Sequence, residues 1–283
     1  MRIGFATLAT ALSVCALFAG QDDLYRYTRS LRTGDRVRYE LRQRTEGASG
    51  EVVAIAGLSV EGEPIAEKVR WLSLATNGNE PRPINLPTYD LFANPRSVLR
   101  QLPSADADLT GIITDFYTFF FAASPLAGIT EVSARGATYI RPEVVTGDWS
   151  DGSLFPLGQD HLRVTLRLRS LDSTSATFTT TFAPPTERTW TMHRPWMEPS
   201  VCGSQPNNFQ MVRRQGAQFI AIWGCEEFSI ETDVERATGR ILRADMNNAL
   251  RWHVRACQDE ALTQCIDAPA INRARAASLR VVP

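Results

Sequence analysis

The chain has 283 residues, an ordinary hydrophobic content of 43%, a formal net charge of -1 and a pI near 6.3. Without an export segment, this length suits one large β domain or two small ones. The near-zero charge argues against nucleic-acid binding, which usually needs a strong basic excess. We therefore expect no nucleic-acid partner.

The first 20 residues have the pattern of a secretory signal peptide. Arg2 supplies a positive start, Ile3 to Phe18 carries no charge, and small residues precede the polar Gln21. A transmembrane helix would need about 20 apolar residues and usually has stronger flanks. We predict that residues 1–20 are a signal peptide and that residues 21–283 form a single β-rich domain in the periplasm or outside the cell.

Cys15 gives this segment an alternative fate. Leu12-Ser13-Val14-Cys15 resembles a bacterial lipobox, in which the cysteine is lipidated, but Val14 stands where a small residue is expected. We favour the loss of Cys15 with the signal peptide. Membrane anchoring, as an outer-membrane lipoprotein, follows only if Cys15 is lipidated.

A first β-meander is predicted over residues 33–76. The sequence around Val37, Tyr39 and Leu41 alternates strictly between polar and apolar residues, which is typical of a half-buried strand. Residues 77–103 contain five prolines and are predicted to form a long connection rather than a central strand.

Residues 109–121 are predicted to form the one main helix. Their apolar residues recur at helical spacing and leave a broad apolar face. Such a face usually belongs to the core, so the favoured interpretation is a helix that plugs the concave side of a sheet. The alternative is that Phe116, Phe119 and Phe120 line an apolar ligand cavity, and they are our candidate ligand-binding residues on this helix.

A second set of strands is predicted over residues 160–282. Its clearest part alternates through Phe228, Ile230 and Val234 and then turns at Gly239. The returning strand is predicted to place Leu250, Trp252 and Val254 on one face and Arg251, His253 and Arg255 on the other. Strands of this kind pack in antiparallel sheets with one dry and one wet face. The predicted fold class is mainly β (α+β), a curved antiparallel sheet or half-barrel with one main covering helix.

Four cysteines lie beyond the signal peptide, at Cys202, Cys225, Cys257 and Cys265. An even number in an exported chain predicts two disulfides. Cys257 and Cys265 enclose a short segment, so proximity favours that pair and leaves Cys202 with Cys225. The spacing lacks the CxxC and HxxxH elements of zinc sites, so no metal site is expected.

Residues 184–210 form a second proline-rich, irregular stretch that contains Trp190 and Trp196. These side chains either cover the open edge of a sheet or rim a binding mouth. Trp190 and Trp196 therefore join the candidate ligand-binding residues.

No catalytic constellation is visible. The chain has no GxSxG, no HExxH and no phosphate-binding glycine loop. Asp148 and Asp151 suit glycoside chemistry by residue type, but carboxylates so close in sequence usually make turns. We expect neither catalysis nor a cofactor.

Arginines on predicted outward faces would make a cationic patch if their strands were neighbours. A solvated wet face is the preferred interpretation, since exposed arginines need no special explanation. The residues concerned are Arg163, Arg167, Arg169, Arg251, His253 and Arg255.

Several stretches give the chain a resemblance to secreted bacterial β-rich proteins of unassigned function. They are Thr33-Gly34-Asp35-Arg36-Val37-Arg38-Tyr39, the Phe-rich helix, Cys202-Gly203 with Asn207-Asn208-Phe209, and Ala237 to Leu242 leading to Met246-Asn247-Asn248. In fold alone, the layout is similar to lipoprotein-carrier half-barrels, in which helices close a curved antiparallel sheet around an apolar cavity. The chain departs from them in its single clear helix and its disulfide-stapled end. The resemblance implies a fold and assigns no residue a role.

Three functions are compatible with these patterns. The first is non-catalytic binding of a lipid or another apolar ligand at the cell envelope. The second is an envelope interaction or structural module, with an envelope protein as partner, that uses the loop from Trp190 to Trp196. The third and least favoured is a secreted hydrolase that uses Asp148 or Asp151.

Overall fold

The computed structural model describes residues 24–27, 29–46, 50–62, 65–92, 107–122, 131–133, 137–142, 161–182, 199–204, 207 and 209–283. The predicted signal peptide with Cys15, the carboxylates Asp148 and Asp151, and the candidates Trp190 and Trp196 lie outside the described residues.

The described residues form strands and one α-helix, in good agreement with the predicted elements. The strands are β1 Leu24–Arg26, β2 Arg36–Thr45, β3 Glu51–Glu61, β4 Ala66–Thr76, β5 Arg82–Pro83, β6 Tyr89–Asp90, β7 Glu131–Ser133, β8 Ala137–Pro142, β9 His161–Leu171, β10 Ser175–Phe182, β11 Phe209–Gln215, β12 Gln218–Glu235, β13 Ile241–Cys257, β14 Cys265–Asp267 and β15 Ile271–Val282. The helix, α1, spans Ala107–Ala122, between β6 and β7.

One large antiparallel sheet of 13 strands dominates the described residues. Its order is β5-β4-β3-β2-β15-β13-β12-β10-β9-β8, with β6 added to β4, β11 to β12 and β14 to β13. The first meander runs from β2 to β4, toward one edge of the sheet. The later strands start at the opposite edge with β8 and continue through β9, β10, β12, β13 and β15 toward β2. As a result, β15 pairs with β2, in a register that places Leu279 opposite Leu41. The predicted fold class, a large antiparallel sheet with one helix, is confirmed.

The main core lies between α1 and the face of the sheet that α1 covers, which we call the inner face. Phe116 of α1 packs against Trp71 of β4 and Tyr39 of β2, with ring centroids 5.2 and 6.2 Å away. The alternation of each strand brings every second side chain to this face. The separate two-stranded sheet of β1 and β7 joins the same core, because Tyr25 stacks on Phe178 of β10.

A second, smaller core lies on the opposite face of β12 and β13, near their far ends. It contains Val212, Ala221, Trp223, Cys257 and Leu262. Successive strand residues point to opposite faces. Trp223 therefore points away from the face that carries Ile230 of the main core.

Gly224 lies where the two cores meet along β12. It is opposite Trp252, and a Cβ atom added to it would lie 1.9 Å from the carbonyl oxygen of Arg251. Only glycine permits so close an approach of the two backbones.

Because of the second core, the burial of the β13 side chains differs from the prediction. Trp252 and Val254 are only half-buried, and so are His253 and Arg255 on the other face. The predicted contrast between a dry and a wet face is wrong here, because Trp223 covers the side that was expected to be wet. His253 stacks on the Trp223 ring at 5.2 Å, and the Arg255 guanidinium lies 5.0 Å from the same ring.

Candidate functional site

The three candidate phenylalanines of α1 lie deep in the main core. Phe116 and Phe119 are fully buried, and Phe120 is 3% exposed. Phe116 and Phe120 pack against each other at 4.7 Å, and the Phe120 ring meets Tyr39 edge-on at 5.6 Å. The rings therefore fill the space under α1, and a ligand can occupy that space only by taking the place of some of these side chains.

A partly buried polar cluster borders these rings on the inner face, and the sequence reasoning missed it. It consists of Asp115 of α1, Arg275 of β15, Asn248 of β13 and Glu226 of β12. Arg275 and Asn248 are directly opposite each other in the sheet register. The visible signal was an aspartate inside the aromatic stripe Asp115-Phe116-Tyr117-Thr118-Phe119-Phe120.

Hydrogen bonds link three members of this cluster. The Arg275 Nε group donates to Asn248 Oδ1 at 3.1 Å, and Asn248 Nδ2 donates to Glu226 Oε1 at 2.9 Å. Arg275 Nη1 lies 3.0 Å from Asp115 Oδ1, which makes an ion pair, but neither Asp115 oxygen accepts a hydrogen bond from the described residues. A buried polar group without a hydrogen bond costs about 1–3 kcal/mol.

Asp115 is fully buried, and burial raises the pKa of its carboxyl to about 6. The Arg275 charge opposes this rise and the Glu226 charge adds to it. The net direction shows that the ion pair with Arg275 compensates only part of the desolvation of the carboxylate.

Gly111 lies one helical turn before Asp115, where α1 approaches β2. A Cβ atom added to Gly111 would lie 3.2 Å from the side-chain Oε1 of Gln43 on β2. Residues four apart lie on the same side of a helix. Gly111 and Asp115 therefore lie on the same side of α1, next to the polar cluster of the inner face.

A second buried ion pair lies at the Phe120 end of the aromatic stripe, and its charged groups are joined by hydrogen bonds. Arg29 donates through Nε and Nη2 to the two carboxylate oxygens of Glu67, and through Nη1 to the Gly239 carbonyl at 3.1 Å. Its guanidinium carbon lies 5.5 Å from the centre of the Phe120 ring. Gly239 forms the turn between β12 and β13 with a φ of 69°. Arg29 thus joins the N-terminal segment to β4 and to this turn, which is a structural role.

An open depression on the sheet lies away from the phenylalanines. A cavity of about 970 Å³ is lined mainly by small and polar side chains that alternate to the outer face, among them Thr181, Ser229, Asn247, Ala249, Ala274 and Ala276. A neighbouring cavity of about 630 Å³ shares Glu46, Glu227, Ala249 and Ala274 with it and reaches the Cys202–Cys225 disulfide. We call this continuous depression the outer groove.

Both predicted disulfide pairs are confirmed. The Cα atoms of Cys202 and Cys225 are 5.9 Å apart, and those of Cys257 and Cys265 are 4.0 Å apart. Cys202–Cys225 ties residues 199–204 to β12, and Cys257–Cys265 closes the β13–β14 pair. The two disulfides therefore hold the segments around the second core.

The described arginines proposed for a cationic patch lie on strands that are not neighbours. Arg167 and Arg169 are on β9, whereas Arg251 and Arg255 are on β13, and β10 and β12 lie between these strands. Arg255 also pairs with Asp267. No group of three or more histidine, cysteine or acidic residues in the described ranges has the arrangement of a metal site.

No protein-family model matches the chain, and no curated protein matches it either. In the part of the chain that the structure describes, no helix has the length and hydrophobicity needed to cross a membrane.

Proposed function

We propose that the protein is an exported, non-catalytic binding protein that holds a lipid or another apolar ligand between α1 and the inner face of its sheet. The two disulfides are compatible with an oxidising compartment outside the cytoplasm. The apolar surface of β2, β3, β4 and β15 beneath α1 is the floor of the proposed site.

The observation that carries this proposal is the polar defect under α1. A helix that only filled the core would be held most firmly by an apolar residue at position 115, whereas this one buries a carboxylate without hydrogen bonds. Displacing α1 relieves that cost and exposes a floor that includes Leu41, Ala54 and Trp71. An acyl chain can then take the place of the phenylalanine rings on this floor. The floor buries a similar apolar area beneath an acyl chain or beneath the rings, so the two states are stabilised similarly.

Uptake of the hydrophobic fluorophore N-phenyl-1-naphthylamine by the purified full chain tests the proposal. We expect a saturable rise in fluorescence. Phe119→Ala should raise the apparent affinity by about tenfold or more, because the probe no longer has to displace a buried ring whose burial is worth roughly 1.5–3 kcal/mol. Leu262→Ala, a truncation in the second core, is the control and should leave the affinity unchanged.

Folded wild-type protein that takes up no fluorophore would exclude the proposal, with the folded state checked by cooperative thermal unfolding. Equal effects of Phe119→Ala and Leu262→Ala would place the probe elsewhere than under α1.

An envelope interaction module is the second candidate function, and the outer groove favours it. The floor of the groove is lined with alanines and other small residues, and it is flanked by Glu46 and Glu227, whose side chains have no ion-pair partner among the described residues. Such a surface suits contact with a polypeptide segment. Absence of fluorophore uptake together with loss of partner capture by Ala274→Arg would favour this candidate over ligand binding.

A further inference from the structure

The aromatic stripe of α1 has the chemical layout of an anionic amphiphile. Asp115 places a carboxylate beside the Arg275 guanidinium, and Phe116, Phe119 and Phe120 extend the apolar part of the same helix surface into the main core. The helix thus presents to the sheet a negatively charged head joined to a hydrophobic body.

We propose that the ligand is an amphiphile with an anionic head, a carboxylate or a phosphate, which takes the place of Asp115 on Arg275 while its chain takes the place of the phenylalanine rings. This inference rests on the proposed function and names its class of ligand.

Arg275 has N–H groups that remain available to donate hydrogen bonds to such a head. Its Nε group is used by Asn248, and its Nη1 group only faces Asp115 at 3.0 Å, while no described residue accepts a hydrogen bond from Nη2. The fixed position of Asp115 on α1 gives an ion pair without hydrogen bonds. A mobile carboxylate or phosphate can align with the planar guanidinium and accept two parallel hydrogen bonds.

Two other arginines near the inner face bind groups of the protein other than α1. Arg29 is paired in a bidentate manner with Glu67 and also donates to the Gly239 carbonyl. Arg273, two residues before Arg275 on the same strand, donates through Nη1 to the Glu46 carbonyl at 2.7 Å. Arg275 is the arginine that pairs with the acid of α1, next to the apolar floor.

The competition between Asp115 and the ligand head makes binding depend on pH. The groups that face Asp115 are Arg275 from β15 and Glu226 from β12, whereas the inner-face residues of β2 and β3 near α1 are uncharged and Asp108 of α1 is exposed. Because burial raises the pKa of Asp115 to about 6, acidification toward pH 5 neutralises this carboxyl and frees Arg275. An anionic ligand should therefore bind more tightly at pH 5 than at pH 7.5.

Displacement of bound N-phenyl-1-naphthylamine by probes of equal chain length tests the inference. The probes are dodecyl phosphate, dodecanoate, dodecanol and dodecyltrimethylammonium, each below its micellar concentration. We expect the two anions to displace the fluorophore at concentrations about tenfold or more below that of dodecanol, since hydrogen bonds to a charged group are worth this factor. The ranking of phosphate against carboxylate identifies the head group.

Two variants and a control assign the preference to the cluster. Arg275→Gln should abolish the preference for anions, and Asp115→Asn should increase it and remove its pH dependence. Arg243→Gln, which removes an outer-face arginine paired with Asp233 at 2.9 Å, should bind like the wild type. Asp115→Asn preserves the size of the side chain, so it tests the inference even if Arg275→Gln fails to fold.

Displacement at equal concentrations by anionic, neutral and cationic probes would overturn the anionic-head inference and leave apolar binding intact. An anion preference that persists in Arg275→Gln, or that decreases in Asp115→Asn, would also overturn it. Wild-type protein without any fluorophore uptake would instead remove the proposed function itself.

Discussion

Asp115 is a charged residue on the otherwise apolar side of α1 that packs against the sheet. The surrounding residues Ile112, Phe116 and Phe119 are fully buried and apolar, and a leucine at position 115 would continue that surface. The carboxylate instead requires Arg275 from a distant strand, and the pair remains incompletely hydrogen-bonded. Such pairs are commonly less stabilising than apolar residues of the same size.

The first prediction at this scale concerns stability against pH. Burial raises the pKa of Asp115 from 3.8 to about 6 in the folded protein, so the folded state binds the proton more tightly than the unfolded state between these values. The free energy of unfolding of the wild type should therefore fall by up to about 3 kcal/mol through this group as the pH rises from 4 to 6.5. Asp115→Asn cannot titrate and should gain stability relative to the wild type over that interval.

Urea unfolding at a series of pH values measures this difference, and Asp108→Asn, on the exposed side of the same helix, is the control. A difference between Asp115→Asn and the wild type that stays constant from pH 4 to 6.5 would contradict the prediction.

At the scale of elements, β12 and β13 are long strands that serve two cores on opposite faces. Phe228, Ile230 and Val234 face the main core, whereas Ala221 and Trp223 face the second core. The strands stay paired without a register shift from Phe219 to Asp233, so both cores depend on one continuous ladder. Gly224 allows the close backbone approach between the two sets of contacts.

The second prediction tests this approach. Gly224→Ala should lower the free energy of unfolding by about 2 kcal/mol or more, because the added methyl group meets the backbone of Arg251 rather than a side chain that can move. Gly57→Ala is the matched control on β3, where the added atom has only ordinary contacts at 3.8 Å. Chemical denaturation of both variants gives the comparison, and equal midpoints would count against a special role of Gly224.

Local periodicity predicted most of these elements, including α1, the strands of the first meander and the β12–β13 hairpin. The pairing of β15 with β2 could not be predicted, because alternation identifies a strand but not its partner across the sheet. The second core was missed for a related reason: His253 and Arg255 look like wet-face positions, and the alternation does not show that Trp223 of the neighbouring strand lies against them. Asp115 was visible in the aromatic stripe, but its partner Arg275 follows only from the sheet order.

At the scale of the whole molecule, the two cores differ in what holds them together. The main core draws on α1, the two-stranded sheet and strands from both ends of the large sheet. The second core contains few buried side chains and is bordered by both disulfides. Each disulfide typically contributes about 2–4 kcal/mol, a large share for so small a cluster.

The third prediction follows from that difference. Mild reduction should open the second core and leave the main core folded. In hydrogen exchange, amides of β11, β14 and the paired segments near Trp223 should lose protection, whereas amides of β2, β3 and β4 should keep it. The uptake of N-phenyl-1-naphthylamine should also persist, because its proposed site lies under α1. Simultaneous loss of protection in both regions would show that the two cores unfold as one unit.

The place of β15 in the sheet has a consequence for synthesis. Residues 271–282 form the strand that joins β2 to β13, so the ribosome supplies the centre of the sheet after its flanks. A chain halted before residue 271 would present two unpaired interior edges, and such edges pair readily with other chains. Contacts between segments so distant in sequence also slow folding. Termination of synthesis between β14 and β15 should therefore yield aggregating fragments rather than a native-like protein that lacks one strand.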